Sequence, residues 1–192
     1  MARPSLKDVR SREILDAFVN CVARYGLDGS TLQRIAEEAG VRRTLLRHYL
    51  GNREEMVAKL LAHVLAKFEG MTDALIADLP KVNRWPVLLD KMFQYRNHEA
   101  ANATVFQALV AASDRYPDLR KPLVAFEQDF ERTLMVELAA YFPDADKKAC
   151  AVVAAGVTSI YFTVESMLPL KPSSAWINRQ HSAADALVAT LP

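Results

Sequence analysis

The 192 residues predict an all-α protein, a three-helix helix-turn-helix head joined by one long helix to a helical body. Three features of the sequence carry that prediction. Apolar residues recur three and four positions apart in every long segment, the spacing that gathers side chains on one face of a helix. No segment alternates apolar and polar residues as a half-buried strand does. Helix starts and stops are marked throughout, by Ser30, Asn52 and Ser173 at the openings and by Gly40, Pro80 and Pro117 at the breaks.

In chain order, Met1 to Lys7 reads as a basic arm, either a frayed terminus or a segment reaching a minor groove. Helix one, about Val9 to Tyr25, aligns Ile14, Phe18, Cys21, Val22 and Tyr25 on one side. Ser30 is the predicted cap of the next helix, with Gln33 three positions on completing a capping box. Leu32, Ile35, Ala36 and Ala39 then share a face, and Gly40 ends the helix because glycine takes the left-handed conformation without steric penalty. Arg42 to Leu50 form a third helix. Val41, Leu45 or Leu46, Tyr49 and Leu50 are available to face inward, leaving Arg42, Arg43, Arg47 and His48 facing out. Two helices about a glycine turn, the second with a basic outer face, have the form of a helix-turn-helix.

Asn52-Arg53-Glu54-Glu55 opens the long helix with a cap and a glutamate at the third helical position. It runs to about Leu79, roughly 40 Å, on a seam of Met56, Val57, Leu60, Leu61, Val64, Phe68, Met71, Leu75 and Ile76. Pro80 forbids continuation. Further helices are predicted from near Trp85, from Glu99 to about Ser113, from Leu119 to Phe142, from Asp144 to about Leu168, and from Ser174 to about Ala189. The domain division expected is 1–52 for the head and 53–192 for the body.

Charge is uneven although the net is only +1. Residues 1–53 carry ten Lys and Arg against six Asp and Glu, a surplus of +4, and the remainder is at −3. A basic end on a mildly acidic body fits a nucleic-acid-reading head with a separate sensor. The first twelve residues lack the apolar run of a signal peptide, and the uncharged stretch Ala151–Val164 is shorter than the about 20 residues a bilayer requires, so a cytoplasmic protein is expected. Cys21 and Cys150 lack metal-ligand spacing and read as buried thiols of a reducing compartment. No nucleophile elbow, phosphate loop, H-E-x-x-H or C-x-x-C is present, and His48, His63, His98 and His181 are scattered, so neither an enzyme, a metal nor a cofactor is implied.

Residues 10–60 resemble the N-terminal domain of the TetR family of transcriptional regulators. The resemblance rests on Tyr25-Gly26, on Thr31-Leu32-Gln33-Arg34-Ile35-Ala36-Glu37-Glu38-Ala39-Gly40-Val41, on Leu46-Arg47-His48-Tyr49-Leu50 and on Arg53-Glu54-Glu55-Met56. It implies a homodimer that binds a palindromic operator on double-stranded DNA and is released by a small-molecule effector. On that reading Arg42, Arg43 and Arg47 are the candidates for guanine edges, Thr44 and His48 add base or phosphate contacts, and Thr31, Gln33, Tyr49 and Arg53 fix register on phosphates. Two positions depart from the family. Arg42 replaces the serine that usually caps the recognition helix, and Arg47 replaces a tyrosine. Both add positive charge, which argues for an altered operator preference. The uncapped helix also leaves open a competing class, a helical dimeric scaffold that keeps the head without binding DNA specifically.

The body supports two further expectations. Ala149–Val164 is apolar almost all round, with Ala151, Ala154, Ala155, Gly156 and Ser159 small enough for close helix approach. Such a helix must be buried on every side. The resemblance assigns 144–168 and 174–189 to the dimer contact, the alternative being an internal core helix. An effector cavity is expected among Phe93, Phe106, Phe126, Phe130 and Tyr161, with Arg96, His98, Asn102 and Glu165 as polar contacts, although the same aromatic residues also describe an ordinary packed core.

Overall fold

A computed structural model describes residues 6–94 and 100–192. Residues 1–5 of the expected basic arm, and the candidate ligand contacts Arg96 and His98, lie outside the described residues. Among the described residues the secondary structure is helical: α1 (Leu6–Gly29), α2 (Leu32–Glu38), α3 (Arg43–Leu50), α4 (Arg53–Ala77), α5 (Arg84–Met92), α6 (Ala100–Ala111), α7 (Arg120–Tyr141), α8 (Lys147–Met167) and α9 (Ser174–Val188). Short 3-10 turns at Pro117–Leu119 and Leu168–Leu170 precede α7 and follow α8. Each lies within a few residues of its expected place.

Packing groups these helices into two compact units, residues 6–68 with 100–123 and residues 69–94 with 124–192. This differs from a cut at residue 52, because α6 packs along α1 in the first unit. The first unit buries Ile14, Phe18, Cys21 and Val22 of α1, Ile35 of α2, Leu46 and Leu50 of α3 and Met56, Val57 and Leu60 of α4. Val105 and Leu109 of α6 are fully buried as well. Burial along α4 persists only to Leu65, and Met71, expected on the seam, is 42% exposed. Tyr25 is a second departure: it is 49% exposed, and the Arg34 guanidinium lies over its ring at 4.5 Å. Gly26, with φ at 69°, turns the chain there and takes Tyr25 off the core face.

Polar contacts tie α1 to α4. The Asp16 carboxylate accepts from Lys67 Nζ at 2.8 Å and pairs with His63 Nε2 at 2.9 Å. Burial raises the Asp16 pKa, but the hydrogen bonds from Lys67 and His63 outweigh it and hold the carboxyl below its ordinary range. The thiol of Cys21 is pushed up, first by burial and then by Glu38.

The second unit has its own core, built from Trp85, Leu88, Leu89 and Met92 of α5, Phe130, Leu134 and Leu138 of α7, Cys150, Val153, Ala154, Val157 and Val164 of α8, and Ala184 and Val188 of α9. Arg84 at the start of α5 holds Glu137 of α7 in a two-point pair, Nε to Oε2 at 2.8 Å and Nη2 to Oε1 at 2.6 Å. The α8–α9 approach is close enough that a Cβ on Gly156 would lie 2.3 Å from Leu187 Cδ2. The apolar run also extends further than Ala151–Val164. Helix and turn together, Lys147–Leu170, are long and apolar enough to cross a bilayer by length and composition. That apolar surface is divided between two environments, with Val153, Ala154 and Val157 buried and Val152 69% exposed.

Candidate nucleic-acid interface

The helix-turn-helix is held by local hydrogen bonds that follow from single residues. Thr31 caps α2, its Oγ1 accepting from the Arg34 amide at 3.3 Å. The expected cap, Ser30, is instead fully buried and donates its hydroxyl to Gly26 O at 2.7 Å, so the capping box with Gln33 does not form and the Gln33 amide group donates to Glu37. At the other end Gly40 has φ at 63°. Its amide donates to Glu37 O at 3.2 Å and the Val41 amide to Ala36 O at 2.9 Å, closing the helix with the paired bonds that a left-handed residue permits. This turn aims α3 away from α2.

On α3 the division between faces is sharp. Leu46 and Leu50 are fully buried, Tyr49 is half-buried, and Arg42, Arg43, Thr44, Arg47 and His48 are exposed. Arg42 occupies the N-cap position with extended backbone and makes no side-chain cap bond, as its chemistry dictates. Among the described residues none of Arg42, Arg43 and Arg47 pairs with a carboxylate. Three guanidinium groups therefore stand in solvent on one short helix. His48 lies edge-on to Tyr49, the ring centroids 5.2 Å apart. Leu45, left open against Leu46 in the sequence, faces outward at 40% exposure.

The start of α4 completes the surface. Asn52 and Glu55 form a reciprocal capping box: the Glu55 amide donates to Asn52 Oδ1, and the Asn52 amide donates to Glu55 Oε2, each at 2.8 Å. Lys59 Nζ donates to Tyr49 O at 3.1 Å and fastens the end of α3 to α4. Arg53, expected on a phosphate, donates inward, Nη1 to Ser30 O at 3.0 Å and Nη2 to Leu27 O at 2.5 Å, with its guanidinium 5.3 Å from the Phe18 ring centroid. Nothing in the motif's spacing reveals this inward use, because it depends on where the α1–α2 turn presents its carbonyls. A groove of about 660 Å³ lies between that turn, the end of α3 and the start of α4, with Thr31, Arg47 and Asn52 on its walls.

The expected effector contacts are not brought together in one unit. Phe93, Phe126, Phe130, Tyr161 and Glu165 belong to the second unit and Asn102 and Phe106 to the first. Phe130 stacks on Tyr161 at 5.3 Å, and Phe93 meets Tyr161 edge-on at 6.2 Å. Phe126 reaches this cluster through Phe162, 6.2 Å away. In the first unit Phe106 meets Phe68 edge-on at 6.0 Å, and Asn102 is buried.

An all-helical chain whose solvent-facing basic helix is set by a glycine turn defines a helix-turn-helix protein. Residues 14–60 match the profile of the bacterial regulatory proteins of the tetR family. Over 168 residues the chain is 23% identical to the HTH-type transcriptional regulator BetI of Rhizobium meliloti (strain 1021), covering 87% of this chain and 83% of the relative. The fold is shared with the TetR-family transcriptional regulator of Cytophaga hutchinsonii, at a TM-score of 0.76, 15% identity and coverage of 99% and 98% of the two chains. It is likewise shared with the multidrug binding protein EbrR, solved in complex with imidazole, at a TM-score of 0.65, 17% identity and coverage of 99% and 97%. Residues 14–60 thus match the tetR-family helix-turn-helix domain, and the comparisons together support a TetR-family transcriptional regulator.

Proposed function

We propose that the protein is a homodimeric repressor that binds a palindromic operator through α3 and leaves it when a small molecule binds the body. The observation that carries the DNA-reading part is the outward face of α3, where Arg42, Arg43, Thr44, Arg47 and His48 are exposed and the three guanidiniums have no carboxylate partner among the described residues. Charges left unpaired in this way are available to bases and phosphates. Arg43 and Arg47 read guanine edges, a bidentate pair being worth about 1–3 kcal/mol of discrimination. Arg42, at the open N-terminus of α3, and Thr44 and His48 add contacts to bases or phosphates. Thr31, Gln33 and Tyr49 set the register from the flanks. Functionally, residues 1–52 are the reading head and 53–192 the regulatory body.

Dimerisation through α8 and α9 is supported by a run of uncharged exposed residues, bordered on α9 by exposed Arg179 and Asp185. Val152, Ser159 and Thr163 are exposed on α8, and Ser182, Ala183 and Ala186 on α9. The hydroxyls of Ser159 and Thr163 donate to Ala155 O and Ser159 O, so their donors are satisfied within α8 and the face can meet another apolar surface. The effector part draws on the aromatic cluster of Phe93, Phe126, Phe130 and Tyr161, on EbrR's description as a multidrug binding protein, and on Glu165 as the polar contact. Such a protein works in the cytoplasm, where its operator lies.

A mobility shift with the DNA upstream of the protein's own gene, and with duplexes selected from a random pool, tests the reading. Specific retention that is lost from Arg43→Ala at one base pair of each half-site supports it. Equal binding to selected and random DNA favours the scaffold alternative, for which the uncapped Arg42 is the one structural argument. A monomer in sedimentation at micromolar concentration overturns the dimer.

A further inference from the structure

Leu45 is an anomaly on the reading face of α3. Its neighbours along the exposed side are Arg42, Arg43, Thr44, Arg47 and His48, all charged or polar, whereas Leu45 presents an aliphatic side chain at 40% exposure. The core of the head does not need it, since Leu46 and Leu50 occupy the buried side at 0% exposure. One turn further on, Tyr49 is half-buried and its ring is edge-on to His48, so Leu45 sits at the rim where the polar face meets the core. An aliphatic group at such a rim gains only from a surface that removes it from water.

The major groove offers one apolar feature on the base edges, the C5-methyl of thymine. We infer that Leu45 is a specificity-determining residue that packs on a thymine methyl in each half-site, beside the guanines taken by the arginines. The inference rests on the DNA-reading role proposed above. It assigns the operator a thymine at a fixed offset from the arginine-read positions, and it separates two kinds of selectivity on one helix. The guanidiniums respond to salt and to hydrogen-bonding groups, while Leu45 responds to a methyl group alone.

Uracil in place of thymine tests this directly, because it deletes the methyl and leaves every hydrogen-bonding group and the base pair intact. The full-length protein is used to select a duplex from a random pool, and each thymine of one half-site is then replaced by uracil in turn. At one position the native protein loses roughly fourfold in affinity, the equivalent of about 0.8 kcal/mol for one buried methyl group. Leu45→Ala abolishes the loss at that position and keeps the native slope of affinity against salt. Leu45→Met, which retains an aliphatic side chain, keeps most of it. Circular dichroism confirms that both variants fold. Native insensitivity to uracil at every position, an undiminished uracil effect in Leu45→Ala, or a selected half-site without thymine overturns the inference while leaving DNA recognition intact. Failure to select any duplex overturns the DNA-reading role itself.

Discussion

Replacing Arg53 by alanine removes two charge-assisted hydrogen bonds that join the start of α4 to the α1–α2 turn. The guanidinium donates to Ser30 O at 3.0 Å and to Leu27 O at 2.5 Å, and it lies 5.3 Å from the Phe18 ring centroid. Hydrogen bonds to a charged donor contribute about 1.5–3 kcal/mol each, and a partly exposed cation–π contact about 0.5–1 kcal/mol. The terms are not additive. Arg53 is half-buried, and Leu27 O keeps the Ser30 amide as a partner at 3.3 Å. A net loss of about 2–4 kcal/mol follows, most of it from the carbonyl of fully buried Ser30. For a chain of this size that lowers Tm by roughly 5–12 °C. Thermal and urea unfolding followed by circular dichroism measure it, and Arg53→Lys, which lacks the two-point fork, falls between the two. Measured below the melting range, operator affinity keeps its salt slope in Arg53→Ala, because an inward guanidinium releases no counterion. A slope flattened by about 0.9 would place Arg53 on a phosphate. An unchanged Tm would refute the clamp.

The other predictions concern separate elements. Gly40→Ala puts a Cβ on a residue at φ 63°, where nothing lies within 4 Å, so the cost is the backbone term alone, about 1–2 kcal/mol in chemical unfolding. Gly156→Ala places a Cβ 2.3 Å from Leu187 Cδ2, the far end of a side chain that can turn aside, while alanine gains about 1 kcal/mol over glycine inside a helix, so a net change in stability within about 1 kcal/mol is expected, and sedimentation shows whether the exposed faces of α8 and α9 still associate. Because its pKa is lowered in the folded state, Asp16 contributes stability above its ordinary titration range, lost as pH falls through it. Asp16→Asn therefore lowers stability near neutrality and flattens the acid limb below about pH 4, and an unaltered limb would show that the contacts with Lys67 and His63 add nothing.

The head was legible because its determinants are local. Gly40 needs its own missing Cβ to reach φ 63°, Asn52 and Glu55 need only to stand three positions apart, and the buried pair Leu46 and Leu50 follows from helical spacing. Elsewhere local spacing points to the wrong residue or leaves two neighbours open. Ser30 is the cap the sequence predicts, yet Thr31 takes the role because the turn at Gly26 draws Ser30 inward to donate to its carbonyl. Leu45 and Leu46 are equally apolar, and only the direction in which the turn points α3 sends one of them out. In the body the periodicity placed each helix, yet it said nothing of which helices share a core. The effector candidates form one set by residue type, yet Asn102 and Phe106 belong to one unit and Phe93, Phe126, Phe130, Tyr161 and Glu165 to the other.

By itself, then, the sequence determined the helical class, the order and ends of the helices, and the basic character of the outward side of α3. These depend on interactions within a few residues, where spacing and backbone conformation suffice. Tertiary structure alone decided the inward use of Arg53, the exposure of Tyr25 and Leu45, and the grouping of α6 with α1. Arg53 and α6 answer to partners far away along the chain, and Tyr25 and Leu45 to the directions set by the turns at Gly26 and Gly40; a periodic pattern encodes neither.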